Sequence, residues 1–252
     1  MFREARLAAM RVKIAAIETG AAPTRAVLPF GDPRIDGAFP AGGLPLGRWH
    51  EAAGDGLEIE TAAATAAFVA ALVGPLAKRG VVVWVMRRDD LYAPGLFGLG
   101  FPAESLIQVK ARDEAEALGV LEDAVGSAGV AAAVGEVDEI DLTAGRRLQL
   151  ACERHGAVGF VIRRRPFGGR ERHGTAGSAA TTRWKVSSAP SEPRPGEPGL
   201  GPPRWRVTLE RCRGGRPGAW IMEKSDGAHS LRLVADLGDR QLETPQPLSL
   251  TG

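Results

Sequence analysis

The stretch that most limits how this chain can fold is Gly42–Leu72, which has the order turn, strand, glycine loop, helix. A Gly-Gly pair and a proline break the chain at its start, and Arg48–Ala53 suits a short strand. Gly54-Asp55-Gly56 follows as a loop, and Thr61–Leu72 is almost entirely Ala, Thr, Phe, Val and Leu, which is typical of a buried helix. This order of elements is that of a phosphate-binding loop.

The residues that would bind phosphate are absent from this loop. The motif requires a glycine, four residues, a second glycine, a lysine and then Ser or Thr. Counted from Gly54, the last three positions hold Ile59, Glu60 and Thr61. Ile59 puts a branched side chain where the backbone must approach the phosphates, and Glu60, with Glu58 nearby, sets carboxylates against a polyanion. Two like charges about 4 Å apart repel by roughly 4 kcal/mol near a protein surface. The loop is either a nucleotide site without its chemistry or an ordinary turn that never bound nucleotide.

Composition indicates one α/β domain with short extensions, since the chain has 252 residues of which 44% are hydrophobic. We expect a cytoplasmic protein without a membrane span. No apolar run reaches roughly 18 residues, and the first residues lack the apolar core and cleavage site of a signal peptide. Cys152 and Cys212 are too few for a disulfide framework and lie in no metal-ligand spacing, so we predict no metal site.

The N-terminal segment, residues 3–19, is predicted to form an amphipathic helix, followed by an extended connector as far as residue 29. The apolar stripe of this helix either packs on the protein's own core or docks on a partner. Its residues recur at spacings of three and four: Leu7, Met10, Ile14 and Ile17.

Beyond the loop, apolar strands alternate with helical segments up to residue 163, which predicts a mostly parallel sheet flanked by helices. After residue 181, strand-like segments follow one another and predict antiparallel strands at the C-terminal edge. We divide the chain into the N-terminal segment (residues 1–29), a core (30–235) and a tail (236–252). The tail is polar and contains proline, so we expect it to be mobile and able to fold on a partner.

Positive charge is concentrated in one half of the chain. The segment Arg146–Arg216 carries 16 Lys/Arg against 5 Asp/Glu, which suggests a polyanion or an acidic protein as partner, or a solvated face. Its most basic part, residues 163–180, is predicted to be a loop that contacts DNA phosphates, binds a protein or serves as a solvated linker. Contacts to phosphates would be salt-dependent and indifferent to sequence. The candidate residues are Arg163, Arg164, Arg165, Arg170 and Arg172.

A resemblance to a known family extends these patterns. GGLPLGRWHEAAG resembles the segment that leads into the RecA recombinase core, and the chain as a whole is most similar to the RecA-like inducible mutagenesis protein A (ImuA) family. The resemblance spans Phe30–Glu223 and implies a RecA-like core. The segments that carry it are FGDPRIDGAFPAGGLPLG, RDDLYAPGL, GEVDEIDLTAGRRLQLACERHG, TTRWKVSSAPS and PRWRVTLERCRGGRPGAW.

The resemblance implies further losses at the nucleotide site. RecA-like ATPases place a water-activating glutamate just past the strand that corresponds to residues 81–86, where this chain has Arg87 or Arg88. Asp89 or Asp90 could substitute only from a shifted position, so a helix cap or a solvent-facing pair is favoured for them.

The other two positions concern magnesium and nucleotide coupling. Gly135 and Glu136 follow the strand that would end in a magnesium-binding aspartate. Glu136 could bind a metal, but it would have little to do without the lysine. Arg163 or Arg164 occupies the place of the glutamine that senses the nucleotide.

Taken together, the resemblance implies a non-catalytic accessory protein of damage-induced (SOS) mutagenesis, without a cofactor. Its expected partner is a Y-family polymerase homologue that helps to recruit an error-prone C-family polymerase for translesion synthesis. RecA recombinase and DNA are further candidate partners. Two alternatives remain open: a divergent RecA-type ATPase, and a damage-induced inhibitor of cell division.

Overall fold

The computed structural model describes residues 26–164, 178–193, 196, 198–226 and 229–237. The predicted N-terminal helix, most of the basic loop and most of the tail lie outside these residues. In chain order, the strands are β1 (Val27–Leu28), β2 (Leu44–Pro45), β3 (Trp49–Gly54), β4 (Val81–Met86), β5 (Leu106–Lys110), β6 (Val130–Val137), β7 (Val158–Arg163), β8 (Thr182–Ala189), β9 (Arg204–Cys212), β10 (Gly218–Lys224) and β11 (Leu231–Asp236). The α-helices are α1 (Pro33–Asp36), α2 (Glu58–Val73), α3 (Ala93–Gly98), α4 (Glu114–Val125) and α5 (Leu142–His155).

Nine strands form one sheet in the order β11-β10-β9-β8-β3-β7-β6-β4-β5. The strands from β8 to β5 in this order run parallel to one another. The strands β9, β10 and β11 continue the sheet with antiparallel pairing. This confirms the predicted α/β class, with a mostly parallel sheet and antiparallel strands at the C-terminal edge, as in a RecA-like core.

The sheet separates two hydrophobic cores. In β4, Val82 and Trp84 belong to one core while Val83 and Val85 belong to the other, because successive side chains of a strand point to opposite faces. The first core contains α2, and the second contains α4 and α5. Burial on both faces explains why β4 is apolar at every position.

Helix α2 packs on the sheet through aromatic contacts. The ring of Phe68 lies 5.6 Å from that of Trp184 on β8 and 6.3 Å from that of Trp205 on β9. Each such pair contributes about 0.5–1.5 kcal/mol beyond the burial of its surface. With the 3₁₀ turn that follows, α2 is long and apolar enough to cross a membrane, but more than half of it is buried inside the fold. It is therefore the core helix that holds the glycine loop in place.

Local signals placed both ends of helix α5 correctly. Asp141 caps α5 by accepting a hydrogen bond from the Ala144 N–H at 2.7 Å, as predicted from its position. Gly156 ends the same helix in the left-handed region at φ 76°, where glycine is favoured. The predicted start of α2 at Thr61 was wrong, because the helix begins at Glu58. Acidic residues in a first turn are stabilised by the helix dipole, which explains the earlier start.

Candidate functional site

The glycine loop lies at the carboxyl end of β3 and is short. Only Asp55, Gly56 and Leu57 separate β3 from α2. The Asp55 N–H donates to the Val186 carbonyl at 2.8 Å, which holds the loop against β8. Gly56 has φ +136°, a conformation that few other residues adopt.

Two backbone donors of the motif's frame are already used at the start of α2. The N–H groups of Glu60 and Thr61 both donate to the Leu57 carbonyl, at 3.0 and 3.1 Å. The Thr61 hydroxyl donates to the same carbonyl at 3.0 Å. A phosphate-binding loop depends on free N–H groups at the start of its helix. The residues at the motif's lysine and hydroxyl positions therefore direct their N–H groups to the helix itself.

The side chains of Glu58, Ile59 and Glu60 differ in how far they are exposed to solvent. Ile59 is 92% exposed, and Glu60 is also exposed. The side chain of Glu58, in contrast, is only 12% exposed and faces the interior of the site. Sequence reasoning emphasised Ile59 and Glu60, but Glu58 is the carboxylate that lines the cavity at the glycine loop.

A buried arginine lies opposite Glu58. Arg164 follows β7, and its side chain is 13% exposed. It donates from Nε to Glu58 at 2.9 Å and from Nη2 to Asp90 at 2.8 Å. A third ion pair joins it to Glu136, which also accepts from the Trp84 indole N–H at 2.8 Å. We call Arg164, Glu58, Asp90 and Glu136 the Arg164 cluster.

The cluster joins the positions that sequence reasoning treated separately. Arg164 is one of the two arginines that we placed at the coupling glutamine, and Glu136 is the residue that we placed at the magnesium position. Glu58 is the first residue of α2, and Asp90 comes from the segment after β4. Two sequence features pointed to this cluster: the glycine loop contains no lysine, and an arginine follows β7. Glu58 and Arg164 are so far apart in the chain that their ion pair could not be predicted from the sequence.

Burial and charge shift the pKa values within this cluster. Burial raises the pKa of Glu136 above its usual range, although the charge of Arg164 and the Trp84 hydrogen bond oppose this. Burial disfavours the charged form of Arg164, but the hydrogen bonds that it donates to Asp90 and Glu58 and the charge of Glu136 outweigh this and raise its pKa. Three carboxylates thus surround one guanidinium that stays protonated.

Arginine side chains near the cluster also have internal partners. Arg87 pairs with Glu114 at 3.1 Å and with Asp138 at 2.9 Å. Arg88 reaches Glu58 at 3.4 Å. Neither arginine can act as a water-activating base in place of a carboxylate, because a guanidinium does not accept protons.

Asp89 and Asp90 differ in their surroundings. The Asp89 side chain is 80% exposed and lies 3.6 Å from Lys110, so it is the solvent-facing residue that we predicted. Asp90 is half-exposed but is committed to Arg164. We expected a cap or a solvent-facing pair for both, and the ion pair of Asp90 with Arg164 was missed.

Of the predicted basic residues, two lie in the described part of the chain. Arg163 lies 3.4 Å from Glu51, whose side chain is 3% exposed, and Arg164 is in the cluster described above. A contact of either with DNA would have to break an internal ion pair. Arg165, Arg170 and Arg172 lie outside the described residues, as do Leu7, Met10, Ile14 and Ile17 of the N-terminal segment.

At least three cavities border the cluster, and two of them lie next to α2. The smaller one, about 180 Å³, lies between the glycine loop and the end of β7, with Gly54, Thr61 and Lys185 in its wall. Ligand pockets usually measure about 300–1,000 Å³, so it is small for a nucleotide. The larger one, about 700 Å³, is a mostly apolar groove between α2 and α3, with Tyr92 on its rim. Among the described residues, no group of three or more His, Cys, Asp or Glu could hold a metal ion.

Comparison with known proteins assigns the chain. No protein-family model matches it. Two proteins named Protein ImuA, from two strains of Caulobacter vibrioides, are each 58% identical to it over 234 residues. The matched region covers 90% of this chain and 96% of each relative. Identity at this level over nearly the whole of both chains shows that the protein belongs to the inducible mutagenesis protein A (ImuA) family, and so to the damage-induced mutagenesis system.

Proposed function

We propose that this protein is a non-catalytic, RecA-like accessory protein that supports error-prone translesion synthesis by docking a Y-family polymerase homologue. The observation that carries the proposal is the Arg164 cluster, in which protein side chains pair with one another beside the glycine loop, where the RecA-like resemblance expects a triphosphate and its magnesium ion. The RecA-like core then acts as a scaffold that binds other proteins rather than as an ATPase.

Electrostatics support the loss of nucleotide binding. The cluster holds three carboxylates and one guanidinium, so its charges sum to an excess of acid when all four groups are ionised. A triphosphate entering this place would meet the carboxylate of Glu58, and the motif's lysine position, which holds Glu60, supplies no cation. Magnesium would have to displace Arg164 from Glu136, and breaking a buried ion pair costs about 3–5 kcal/mol.

The partner part of the proposal rests on family membership. The partner is the Y-family polymerase homologue, with the error-prone C-family polymerase and RecA as further members of the assembly. The N-terminal segment with Leu7, Met10, Ile14 and Ile17 is the proposed docking element. DNA contact through Arg165, Arg170 and Arg172 of the basic loop is part of the same proposal.

A nucleotide-binding measurement tests the non-catalytic part. We expect the full-length protein to bind neither ATP nor ADP at millimolar concentration in titration calorimetry, with or without Mg²⁺. Asp90→Asn removes the remaining candidate for water activation, and we expect it to leave damage-induced mutagenesis unchanged. Micromolar, Mg²⁺-dependent ATP binding, or loss of mutagenesis in a stably folded Asp90→Asn protein, would favour the divergent ATPase.

Co-purification from DNA-damaged cells tests the partner part. Recovery of the Y-family homologue together with the tagged protein would support the proposal. Recovery of a tubulin-like division protein without any polymerase would support the cell-division inhibitor instead. The two experiments are independent, because a scaffold that bound ATP could still recruit the polymerase.

A further inference from the structure

The outer face of helix α2 differs from that of most surface helices. No charged residue occurs between Glu60 and Lys78, although Ile59 and Ala63 are exposed and the alanines next to them on this face are only partly buried. The exposed face of α5, in contrast, carries several arginines. Because a helix face in contact with water is normally polar, the outer face of α2 has the composition of a covered surface.

The larger of the two cavities next to α2, the groove of about 700 Å³, lies along this face. Its apolar walls are formed on the side of α2 by Ala62, Ala63, Ala66 and Ala67, and on the side of α3 by Leu91, Leu96 and Leu99. Large side chains on the two sides of the groove remain in water, since Ile59 is 92% exposed and Tyr92 is 74% exposed. Exposed apolar groups that border a groove mark a site of interaction.

Among the described residues, the charged side chains that line the groove are those of the Arg164 cluster and Arg88. The acids Glu58, Asp90 and Glu136 therefore outnumber the arginines. Oε1 of Glu58 accepts from Arg164, but its Oε2 is buried and has no hydrogen-bond partner in the described part of the chain. Since an unsatisfied buried acceptor is costly, this part of the groove favours an occupant with a cationic hydrogen-bond donor.

The helical walls of the groove determine the form of its occupant. Backbone groups within a helix bond to one another, so these walls offer no strand edge to which an extended peptide could add. A peptide on apolar walls must satisfy its own N–H and C=O groups, and an α-helix does so. Alanine side chains also allow a second helix to approach closely. A small molecule inside the groove would leave Ile59 and Tyr92 in water, whereas a helix lying along it would cover both.

Arg164 links the two walls of the groove. It donates to Glu58, the first residue of α2, at 2.9 Å and to Asp90, which directly precedes Leu91, at 2.8 Å. Both walls are therefore held by one nearly buried guanidinium, and the width of the groove depends on it. A groove of fixed width binds its partner without the cost of being ordered first.

We propose that this groove binds an amphipathic helix of the Y-family polymerase homologue. The apolar stripe of that helix lies between Ile59 and Tyr92, and a lysine or arginine of the helix donates to Glu58. The identity of the partner rests on the proposed function, and the groove is a second contact beside the N-terminal segment. Two contacts with one partner bind more tightly than either alone, because the second forms within the complex.

Titration calorimetry with the full-length protein and the purified polymerase homologue tests the groove. Ile59→Ala removes an exposed apolar side chain, and we expect the dissociation constant to rise about fivefold or more, since the burial of an isoleucine on binding is lost. Leu150→Ala is the matched control, because Leu150 on α5 is 61% exposed and lies outside the groove. This control should bind as the parent protein does. Neither change should lower the melting temperature, because both side chains are exposed.

The charge of the occupant is tested by Arg88→Gln. This change removes a cation from the lining of the groove and keeps most of the length of the side chain. For a basic helix the affinity should stay the same or rise, because the excess of acid at the groove increases. Weaker binding by a stably folded Arg88→Gln protein would indicate an acidic occupant and would overturn the proposal.

The outcomes distinguish this proposal from the proposed function. If the unchanged protein did not bind the homologue, the partner would be wrong and both proposals would fall. Unchanged affinity in Ile59→Ala would overturn the groove alone. A lower melting temperature in Ile59→Ala would show that a segment of the same chain covers the groove. Loss of a dimer in this variant, measured by light scattering, would show that a second copy covers it, and either result would overturn the proposal as well.

Discussion

The Nε–H of Arg164 donates to Oε1 of Glu58 over 2.9 Å, although the two residues are 106 positions apart in the chain. This contact joins the end of β7 to the first turn of α2. Both side chains are nearly buried, at 13% and 12% exposure, so the pair is poorly screened by solvent. The stability of the site at the glycine loop therefore depends on an arginine that follows a different strand, β7.

Removing this arginine should destabilise the protein strongly. Arg164→Ala leaves Glu136 as a buried acid without its cation and leaves Glu58 with only Arg88, at 3.4 Å. Breaking a buried pair costs about 3–5 kcal/mol. Denaturant unfolding of the variant and the parent protein measures this loss. Arg34→Ala is the matched control, because Arg34 pairs with Asp32 at 2.7 Å but is 58% exposed, and exposed pairs contribute about 0–1 kcal/mol. Equal losses in the two variants would contradict the importance of the cluster.

The glycine at the end of β3 should be irreplaceable for steric reasons. A Cβ on Gly54 would lie 2.0 Å from Oγ1 of Thr61, so Gly54→Ala should cost about 1–3 kcal/mol. For a chain of this size, 1 kcal/mol lowers the melting temperature by about 2–4 °C. Gly119→Ala in α4 is the control, since a Cβ there meets nothing within 4 Å and should stabilise the helix by about 0.5–1 kcal/mol. A lower melting temperature in both variants would mean that the loop is not specially constrained.

His50 should make stability depend on pH. Its Nδ1 lies 2.8 Å from the Thr182 hydroxyl and its Nε2 lies 3.0 Å from the Pro45 carbonyl. Since a carbonyl only accepts, Nε2 carries the proton and Nδ1 accepts from Thr182, which in turn accepts from the Trp184 indole N–H. Burial lowers the pKa of His50 to about 4, so the folded state favours the neutral ring.

The direction of this effect follows from the lowered pKa. Stability from the neutral ring is complete above the unfolded value of about 6.5 and is lost as the pH falls towards 4, by about 3 kcal/mol in total. Urea unfolding measured at several pH values between 7 and 4 would show it. In His50→Gln, the part of the pH dependence of the free energy of unfolding that comes from protonation of His50 should vanish. If the free energy of unfolding changed with pH identically in the two proteins, His50 would be excluded as the cause.

Partner binding by the N-terminal segment can be separated from folding. If Leu7 and Ile14 dock on the polymerase homologue, replacing both by Asp should reduce its co-purification at least tenfold without changing the melting temperature. Charged groups in the middle of an apolar contact are costly because they lose their hydration. A drop in melting temperature of several degrees would show that the stripe packs on the protein's own core.

Sequence reasoning predicted what local signals encode. Asp141 and Gly156 mark the ends of α5 because a cap depends on residues a few positions apart, and β4 is recognisable because both of its faces are buried. The partners of Arg164 could not be predicted in this way. They lie 28, 74 and 106 positions away, and only the packing of the sheet brings them together. The start of α2 was misplaced because the glycine-loop motif suggested a longer loop than the helix dipole favours.

The short connection between β3 and α2 has an evolutionary consequence. A lysine introduced at position 60 would lie at an exposed site within α2. Arg164 would still pair with Glu58, Asp90 and Glu136. Recovery of a triphosphate site would also require a longer loop and removal of that arginine, and each of these changes alone would weaken the fold. Under the proposed function, the contacts that keep this protein folded also hold its descendants to a nucleotide-independent way of working.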